Sequence, residues 1–159
     1  MRQFHSRFSF RLFLALVTLS LVAAACGSSG DAAADVDTAV RPEILVPDGD
    51  PPVELVIEDL VVGDGEEAVS GASINVDYVG VSWSTQEEFD ASWGRGEFGF
   101  SLGVGQVIPG WDEGVQGMRV GGRRQITIPP EMAYGTTGAG GAIGPNETLI
   151  FVVDLRGIN

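Results

Sequence analysis

The 159-residue chain contains 22 acidic residues, nine arginines and no lysine, and its formal net charge of −13 makes a nucleic-acid partner unexpected because like charges repel. The single histidine, His5, and the single cysteine, Cys26, both lie near the N-terminus, so later residues cannot supply a histidine-based triad, a Cys-His pair, a lysine Schiff base or a usual zinc site. We therefore expect neither a metal nor a cofactor, and any chemistry must use carboxylates, hydroxyls, arginines, backbone amides or apolar surface.

Residues 1–25 have the pattern of an export signal. Arg2, Arg7 and Arg11 form a basic start, and residues 12–25 are almost continuously apolar and end in alanines. The apolar run is shorter than the roughly 20 residues of a membrane-spanning helix, and its small-residue end is typical of a cleavage site. We predict that residues 1–25 are a signal peptide and that the protein is exported.

Cys26 follows the apolar run directly and precedes "GSSG". This placement is similar to that of the lipid-modified cysteine in bacterial lipoprotein signals, although Ala23 stands where those signals usually have a larger aliphatic residue. We expect lipidation at Cys26 and attachment to the outer face of the bacterial cytoplasmic membrane, with the lipid as the only membrane contact. The alternative is cleavage at an ordinary signal site, which would leave a secreted protein. The mature chain would keep six arginines against 22 acidic residues, a formal net charge of −16.

Residues 26–52 are small, acidic and interrupted by prolines, which is the composition of a flexible linker. A flexible coil of about 25 residues spans roughly 25–30 Å on average. The alternative is that "EILVP" within this stretch pairs with the edge of the domain as an extra strand. We predict a linker over 26–52 and a globular domain over 53–159.

Five segments of that domain alternate between apolar and polar residues, as strands do. They are, in chain order, "VELVIEDLVVG", "ASINVDYVGVSW", "GEFGFSLG", "RRQITIPP" and "ETLIFVVDLRGI". In the second segment Ile74, Val76 and Tyr78 fall on one face, and Asn75 and Asp77 fall on the other. Alternation with one polar face is typical of an antiparallel sheet that is covered on one side.

One segment between the strands, "GWDEGVQGM", has a helical spacing. Trp111, Val115 and Met118 share one face of a helix over 110–118. Gly114 and Gly117 each disfavour a helix by about 1 kcal/mol relative to alanine, so this helix must be stabilised by packing on the sheet. The predicted fold class is therefore α+β, with a strongly twisted antiparallel sheet of about five strands wrapped on one short helix.

A long ordered set of segments resembles one known family. The stretch "GQVIPGWDEGVQGMRVGGRRQITIPPEMAYG" over 105–135, the following "GPNETLIFVVDL", and the upstream "DYVG" and "EFDASWGRGEFGFSLG" resemble the FKBP family of peptidyl-prolyl cis-trans isomerases. The resemblance covers about residues 53–159. It implies an FKBP-like fold and catalysed rotation about Xaa-Pro bonds, a reaction that needs no covalent or proton-transfer step.

The resemblance also implies one pocket with two sets of residues. The catalytic set is Tyr78, Asp90, Trp111 and Tyr134, and the substrate-binding set is Phe89, Arg95, Phe98, Gln106, Val107, Ile108, Ile143 and Phe151. Trp111 would form the pocket floor, Arg95 would orient Asp90, and the Tyr134 hydroxyl would bond a substrate carbonyl. The competing interpretation is that the aromatic residues are ordinary core residues and that Asp90 and Arg95 form a surface ion pair.

This sequence departs from the family pattern beside the expected pocket. The segment from Asp90 to Phe98 is one residue shorter than in well-known members and contains Trp93. Ala139 and Ala142 replace bulkier or polar residues in the loop after "AYG", and Gly144 of that loop stands where a proline is frequent. These departures bear on substrate preference and macrolide affinity more than on activity itself.

The expected function is therefore acceleration of Xaa-Pro rotation in exported polypeptides by a monomer. Proline-containing polypeptides are the expected partners, and macrolides are possible ligands. One alternative is a holdase that binds proline segments in the same pocket with little catalysis. A third interpretation is an acidic lipoprotein with a structural role in the cell envelope.

Overall fold

The computed structural model describes residues 37–159. The predicted signal peptide, Cys26 and the start of the predicted linker lie outside the described residues. The elements are β1 (Val56–Val61), β2 (Ser73–Ser82), β3 (Glu88–Ala91), β4 (Phe98–Ser101), α1 (Pro109–Gly114), β5 (Arg123–Ile128) and β6 (Leu149–Ile158), with a 3₁₀ turn at Pro130–Met132. Within residues 37–159, no helix is long and apolar enough to cross a membrane.

The strands form one antiparallel sheet in the order β1-β5-β6-β2-β3, and β4 pairs with the beginning of β2. The ten-residue strands β2 and β6 lie side by side at its centre. The predicted α+β class, with an antiparallel sheet and one short helix, is confirmed. The sheet has one strand more than expected because β3, "EFDA", is too short to show alternation in the sequence.

Alternate residues of β5 and β6 point to the main core on one side of the sheet. Ile126, Phe151 and Val153 are buried there with Trp111 of α1 and with Val115, which follows α1. Burying apolar side chains in this way is the main favourable contribution to folding. The alternation that predicted the strands therefore also identifies the face that holds the core.

The helix is shorter than the sequence predicted, because α1 ends at Gly114 instead of residue 118. Gly117 has a φ of +80°, a left-handed conformation that ends helical geometry and that glycine adopts without strain. The expected close approach to the sheet is observed. A Cβ atom on Gly110 would lie 2.4 Å from Ile128 Cγ2, and one on Gly114 would lie 2.8 Å from Ile126 Cγ2. Glycine at both positions lets α1 lie directly on β5.

The chain before β1 covers part of the opposite face of the sheet. Ile44 and Val46 pack against the apolar cluster that includes Val79 and Val81 of β2. This stretch lies within the predicted linker, yet it contacts the domain through side chains without forming a strand. The sequence offered contact by "EILVP" only as an alternative, in the form of an extra edge strand, and the observed contact is through Ile44 and Val46 without a strand. We call residues 37–46 the N-terminal strap.

Buried arginines also tie the strap to the sheet. Arg123 and Asp154 are almost fully buried and pair at 2.6 Å, and Arg123 also donates to the Val40 carbonyl at 2.7 Å. Arg156 donates to the Thr38 carbonyl at 2.9 Å. These carbonyls satisfy guanidinium donors that would be costly to bury without acceptors. The strap backbone therefore completes the hydrogen bonding of the sheet's outer face.

Candidate active site

A cavity of about 490 Å³ opens where β2, β3 and β4 meet the N-terminus of α1. Four strands, α1 and two loops contribute its ten lining residues, which are Tyr78, Phe89, Asp90, Phe98, Gln106, Val107, Ile108, Trp111, Tyr134 and Phe151. All ten belong to the site predicted from the sequence. The structure thus brings together residues that lie up to 73 positions apart in the chain.

Trp111 is both a core residue and part of the cavity wall. Its side chain is 4% exposed, and its ring contacts Tyr78 and Phe151 edge-to-face at centroid distances of 5.1 and 5.2 Å. Phe100 lies behind it at 5.6 Å. Edge-to-face contacts of this kind contribute about 0.5–1.5 kcal/mol each beyond area burial. The packing interpretation and the pocket interpretation of Trp111 are therefore compatible, because one ring serves both.

Asp90 is the only carboxylate that lines this cavity among the described residues, and three groups hold it. The Tyr78 hydroxyl donates to Asp90 Oδ2 at 2.5 Å, and Arg95 and the Ala91 amide donate to Oδ1. Burial raises the pKa of Asp90, but the hydrogen bonds from Tyr78 and Arg95 lower it further, so the net pKa lies below its ordinary value. Asp90 is consequently ionised at neutral pH.

The pKa of Tyr78 shifts in the opposite direction to that of Asp90. Burial, and then the hydrogen bond to the ionised Asp90, raise the pKa of the Tyr78 hydroxyl well above its usual range. The hydroxyl therefore keeps its proton and donates a hydrogen bond to Asp90. Because that donor is occupied, Tyr78 can offer a ligand only an acceptor lone pair and the face of its ring.

Two donors at the cavity are free. Neither the Ile108 N–H nor the Tyr134 hydroxyl has a hydrogen-bond partner within the part of the chain that the structure describes. Tyr134 is 40% exposed, and Ile108 is the residue immediately before α1. Both groups could donate to the carbonyls of a bound polypeptide.

The rim that carries Ile108 is held by two side chains, Asp112, which the sequence did not assign to the site, and Gln106, which it did. Asp112 accepts hydrogen bonds from the amides of Gly103 and Gly105, each at 2.8 Å. Gln106 Oε1 accepts the Ser101 amide of β4 at 2.8 Å. Asp112 lies in the first turn of α1, and no sequence signal connects it to glycines seven and nine positions earlier.

Two predicted site residues do not line the cavity. Ile143 is buried in the main core, 8% exposed, in the loop before β6. Arg95 lies on the far side of Asp90, where it pairs with that carboxylate and donates to the Ala91 carbonyl. The predicted pairing of Arg95 with Asp90 is thus present. Among residues 37–159, no cluster of three His, Cys, Asp or Glu side chains could hold a metal ion.

Comparison with known proteins identifies the family. The family model described as "FKBP-type peptidyl-prolyl cis-trans isomerase" matches residues 64–156. The chain is 59% identical over 117 residues to the "FK506-binding protein" of Streptomyces anulatus, covering 72% of this chain and 94% of the relative. It is 50% identical over 115 residues to the "Probable FK506-binding protein" of Corynebacterium glutamicum, covering 72% of this chain and 96% of the relative.

Two solved structures agree with these relatives. The crystal structure of AtFKBP13 matches with a TM-score of 0.62 and 40% identity, over 69% of this chain and 96% of that one. The crystal structure of FkpA from Escherichia coli matches with a TM-score of 0.60 and 38% identity, over 66% of this chain and 48% of that one. The chain belongs to the FKBP-type peptidyl-prolyl cis-trans isomerases.

Proposed function

We propose that the cavity above Trp111 binds Xaa-Pro segments of exported polypeptides and accelerates their cis-trans rotation without covalent or proton-transfer chemistry. The observation that carries the proposal is that ten side chains from separate segments of the chain line one cavity. Nine of them are uncharged and one is an ionised carboxylate. The side chains of residues 37–159 suit this reaction. They include no histidine, lysine or cysteine, and rotation needs no such acid, base or nucleophile.

Rotation about a peptide bond requires a change of environment more than a reactive group. The barrier is about 18–20 kcal/mol, whereas the two isomers of an Xaa-Pro bond differ by only about 0.5–1 kcal/mol. A planar amide has charge separation through resonance, and the twisted amide loses much of it. Aromatic and aliphatic walls solvate the planar form less well than water does, so they favour the twisted form. Each ~1.4 kcal/mol removed from the barrier increases the rate tenfold.

Two free donors would fix the polypeptide on either side of the rotating bond. The Ile108 N–H and the Tyr134 hydroxyl would each bind a backbone carbonyl and leave the proline ring against Trp111. Holding both ends lowers the entropy cost of reaching the twisted geometry. The Asp112 carboxylate supports this role indirectly, because it holds the loop that precedes Ile108.

Asp90 would act through its fixed charge. Tyr78, Arg95 and Ala91 occupy most of its acceptor positions, so it is held in one orientation at the cavity edge. From there the carboxylate would position the twisting imide and influence its charge distribution without taking a proton. Its lowered pKa supports an ionised and chemically unreactive group.

The alternative with the same cavity is a holdase that binds proline segments without turnover. The two functions separate in an NMR line-shape experiment on an Xaa-Pro peptide with substoichiometric protein. Catalysis predicts a cis-trans exchange rate that rises in proportion to protein concentration. Broadening from binding, with an unchanged exchange rate at every protein concentration, would favour the holdase.

Macrolides are a second ligand class for this cavity. The names of the Streptomyces and Corynebacterium relatives describe them as FK506-binding proteins, and this supports FK506 as a ligand here. FK506 in the cavity should quench Trp111 fluorescence and inhibit prolyl exchange over the same concentration range. Quenching would also argue against a purely structural role in the cell envelope.

We also propose that the protein is exported, is lipid-anchored through Cys26 and acts as a monomer on proteins outside the cytoplasm. The basic and apolar start of the sequence and the position of Cys26 support this proposal. Mass spectrometry of the mature N-terminus tests it directly. A diacylglycerol-modified Cys26 is expected, whereas an unmodified N-terminus at an ordinary cleavage site would favour secretion.

A further inference from the structure

A second cavity, of about 570 Å³, lies beside the first and shares Phe89 and Asp90 with it. We call it the flanking cavity, and its other lining residues are Arg41, Glu88, Ala91, Trp93, Gly94 and Arg95. A polypeptide with its proline in the first cavity would carry neighbouring residues into this second space. Three extended residues span about 10 Å, so residues within about three positions of the proline can reach a cavity that shares two lining residues with the first.

The flanking cavity holds two exposed arginines of an acidic molecule, together with Glu88 and Asp90, the carboxylates that pair with them. Residues 37–159 include six arginines, three of which are exposed, and two of those three, Arg41 and Arg95, line this cavity. The third, Arg119, pairs with Glu67 elsewhere on the surface. The strap supplies Arg41, so this part of the cavity wall comes from outside the region 64–156 that matches the family model.

Both guanidinium groups keep unused donors. Arg41 donates to Glu88 Oε2 through Nη2 at 2.5 Å, and Arg95 uses its own Nη2 for both Asp90 and the Ala91 carbonyl. Each guanidinium has five N–H donors, so most of them have no acceptor within the described residues. An exposed pair held by one contact contributes little, and a ligand carboxylate can share the arginine or displace Glu88 from it.

Trp93 adds another donor without an acceptor. Its Nε1 is buried and has no hydrogen-bond partner within residues 37–159, and the guanidinium of Arg156 lies 5.2 Å from its ring centroid. A buried donor left unpaired is destabilising, so an acceptor that reached it after a shift of the side chain would be favoured. The residues bordering the flanking cavity thus have an excess of donors, which suits a ligand rich in acceptors.

We propose that the flanking cavity binds the side chain of a glutamate or aspartate within about three residues of the target proline, with Arg41 as the residue that determines this specificity. The proposal rests on the isomerase function proposed for the neighbouring cavity. It assigns the strap a part in substrate selection, because the strap places Arg41 opposite Glu88 of β3. The preferred substrates are acidic proline-containing segments.

The test uses matched peptides with one apolar Xaa-Pro core. A single glutamate, or glutamine as its neutral match, is placed in turn at each position up to three residues from the proline on either side. The wild-type protein should show a kcat/KM about 1.5- to fivefold higher for the glutamate peptide at one or more positions, the range expected for an exposed charge pair. Because the Debye length falls to about 3 Å in 1 M salt, the preference should largely disappear there.

Three variants decide the role of Arg41. Arg41→Gln should remove the glutamate preference and leave kcat/KM for the glutamine peptide unchanged. Arg119→Gln is the matched control, since Arg119 is 47% exposed, Arg41 is 48% exposed, and each pairs with one glutamate. It should keep the preference. Glu88→Gln should increase the preference, because it removes the carboxylate that competes for Arg41.

The proposal is overturned if no position favours glutamate, or if Arg41→Gln keeps the wild-type preference. Failure of the isomerase proposal would be seen separately, because the wild-type protein would then not accelerate cis-trans exchange of the glutamine peptide. In that case the ratio of dissociation constants for the glutamate and glutamine peptides, measured with fluorescent labels on wild-type and Arg41→Gln protein, decides the specificity proposal alone.

Discussion

At the scale of single residues, the site depends on how Asp90 is held. Tyr78 and Arg95 stabilise its ionised form, and Asp90 in turn fixes the Tyr78 ring edge-to-face with Trp111. The carboxylate therefore couples the charged edge of the cavity to its aromatic floor. A change at Asp90 should affect both stability and catalysis. The effect on stability can be measured by itself through its dependence on acid pH.

The acid dependence of stability tests this arrangement. The folded pKa of Asp90 is lowered, so its stabilisation is present above the unfolded pKa of about 3.9 and is lost as pH falls through the lower folded value. Asp90→Asn has no carboxylate to protonate there. We expect its free energy of unfolding, measured in urea, to fall less between pH 5 and pH 2 than that of the wild type. Identical pH dependence in the two proteins would contradict the assignment.

Tyr134 provides a test of the proposed clamp. Its hydroxyl is exposed and unbonded in the described part of the chain, so Tyr134→Phe removes a donor without disturbing an internal hydrogen bond. A net contribution of about 0.5–1.5 kcal/mol for one hydrogen bond predicts a loss of roughly two- to thirteenfold in kcat/KM for an Xaa-Pro peptide. The free energy of unfolding should stay within about 0.5 kcal/mol of wild type. Unchanged kcat/KM would exclude the hydroxyl from substrate binding.

At the scale of elements, the longer strands were predictable from the sequence, whereas the short strand β3 and the strap's contact with the sheet were not. Alternation identified five strands, and one face of β2, β5 and β6 is buried in the main core, whereas β1 is mostly exposed. β3 was not predicted because four residues are too few to show apolar and polar alternation, although the resemblance placed its Phe89 and Asp90 in the site. The strap was predicted as linker because Ile44 and Val46 are its only apolar contacts with the sheet and their neighbours are polar or exposed. Local composition carries no information about a contact that depends on Val79 and Val81, more than 30 positions later.

The strap's packing leads to a prediction with a control one residue away. Ile44 packs against the outer cluster of the sheet, whereas Leu45 is 79% exposed. Because Ile44 is only partly buried, Ile44→Ala should lower the free energy of unfolding by about 1–2 kcal/mol, less than the full cost of a core truncation. Leu45→Ala should change it by less than about 0.5 kcal/mol. Equal effects in urea unfolding would show that the strap does not pack on the domain in solution.

The site itself was recoverable from sequence only through the joint order of its residues. Trp111 alone is as consistent with a core as with a cavity, and in the structure it belongs to both. Asp112 and the flanking cavity were missed because their function depends on three-dimensional neighbours. Ile143 matched the family pattern in sequence but lies in the core, where the loop of residues 139–143 closes on itself through hydrogen bonds between Ala139 and Ile143.

At the scale of the whole molecule, the domain has few groups that titrate near neutral pH. Residues 37–159 contain no histidine, lysine or cysteine, and the two cavity-lining groups with shifted pKa values move away from neutrality, Asp90 downward and Tyr78 upward. We expect kcat/KM to vary by less than about twofold between pH 6 and pH 9 when it is measured by NMR exchange, which needs no coupled enzyme. A bell-shaped profile in this range would indicate acid-base catalysis and contradict the mechanism.

The central claim is that the cavity above Trp111 is where Xaa-Pro bonds rotate faster. Its most direct test is magnetisation-exchange NMR of one Xaa-Pro peptide with wild-type protein, Asp90→Ala and Glu113→Ala. Glu113→Ala is the control, because it removes an exposed carboxylate of α1 that does not line the cavity. We predict wild-type acceleration from Glu113→Ala and at least a tenfold lower kcat/KM from a folded Asp90→Ala, equivalent to about 1.4 kcal/mol. Equal acceleration by all three proteins would place the activity outside this cavity.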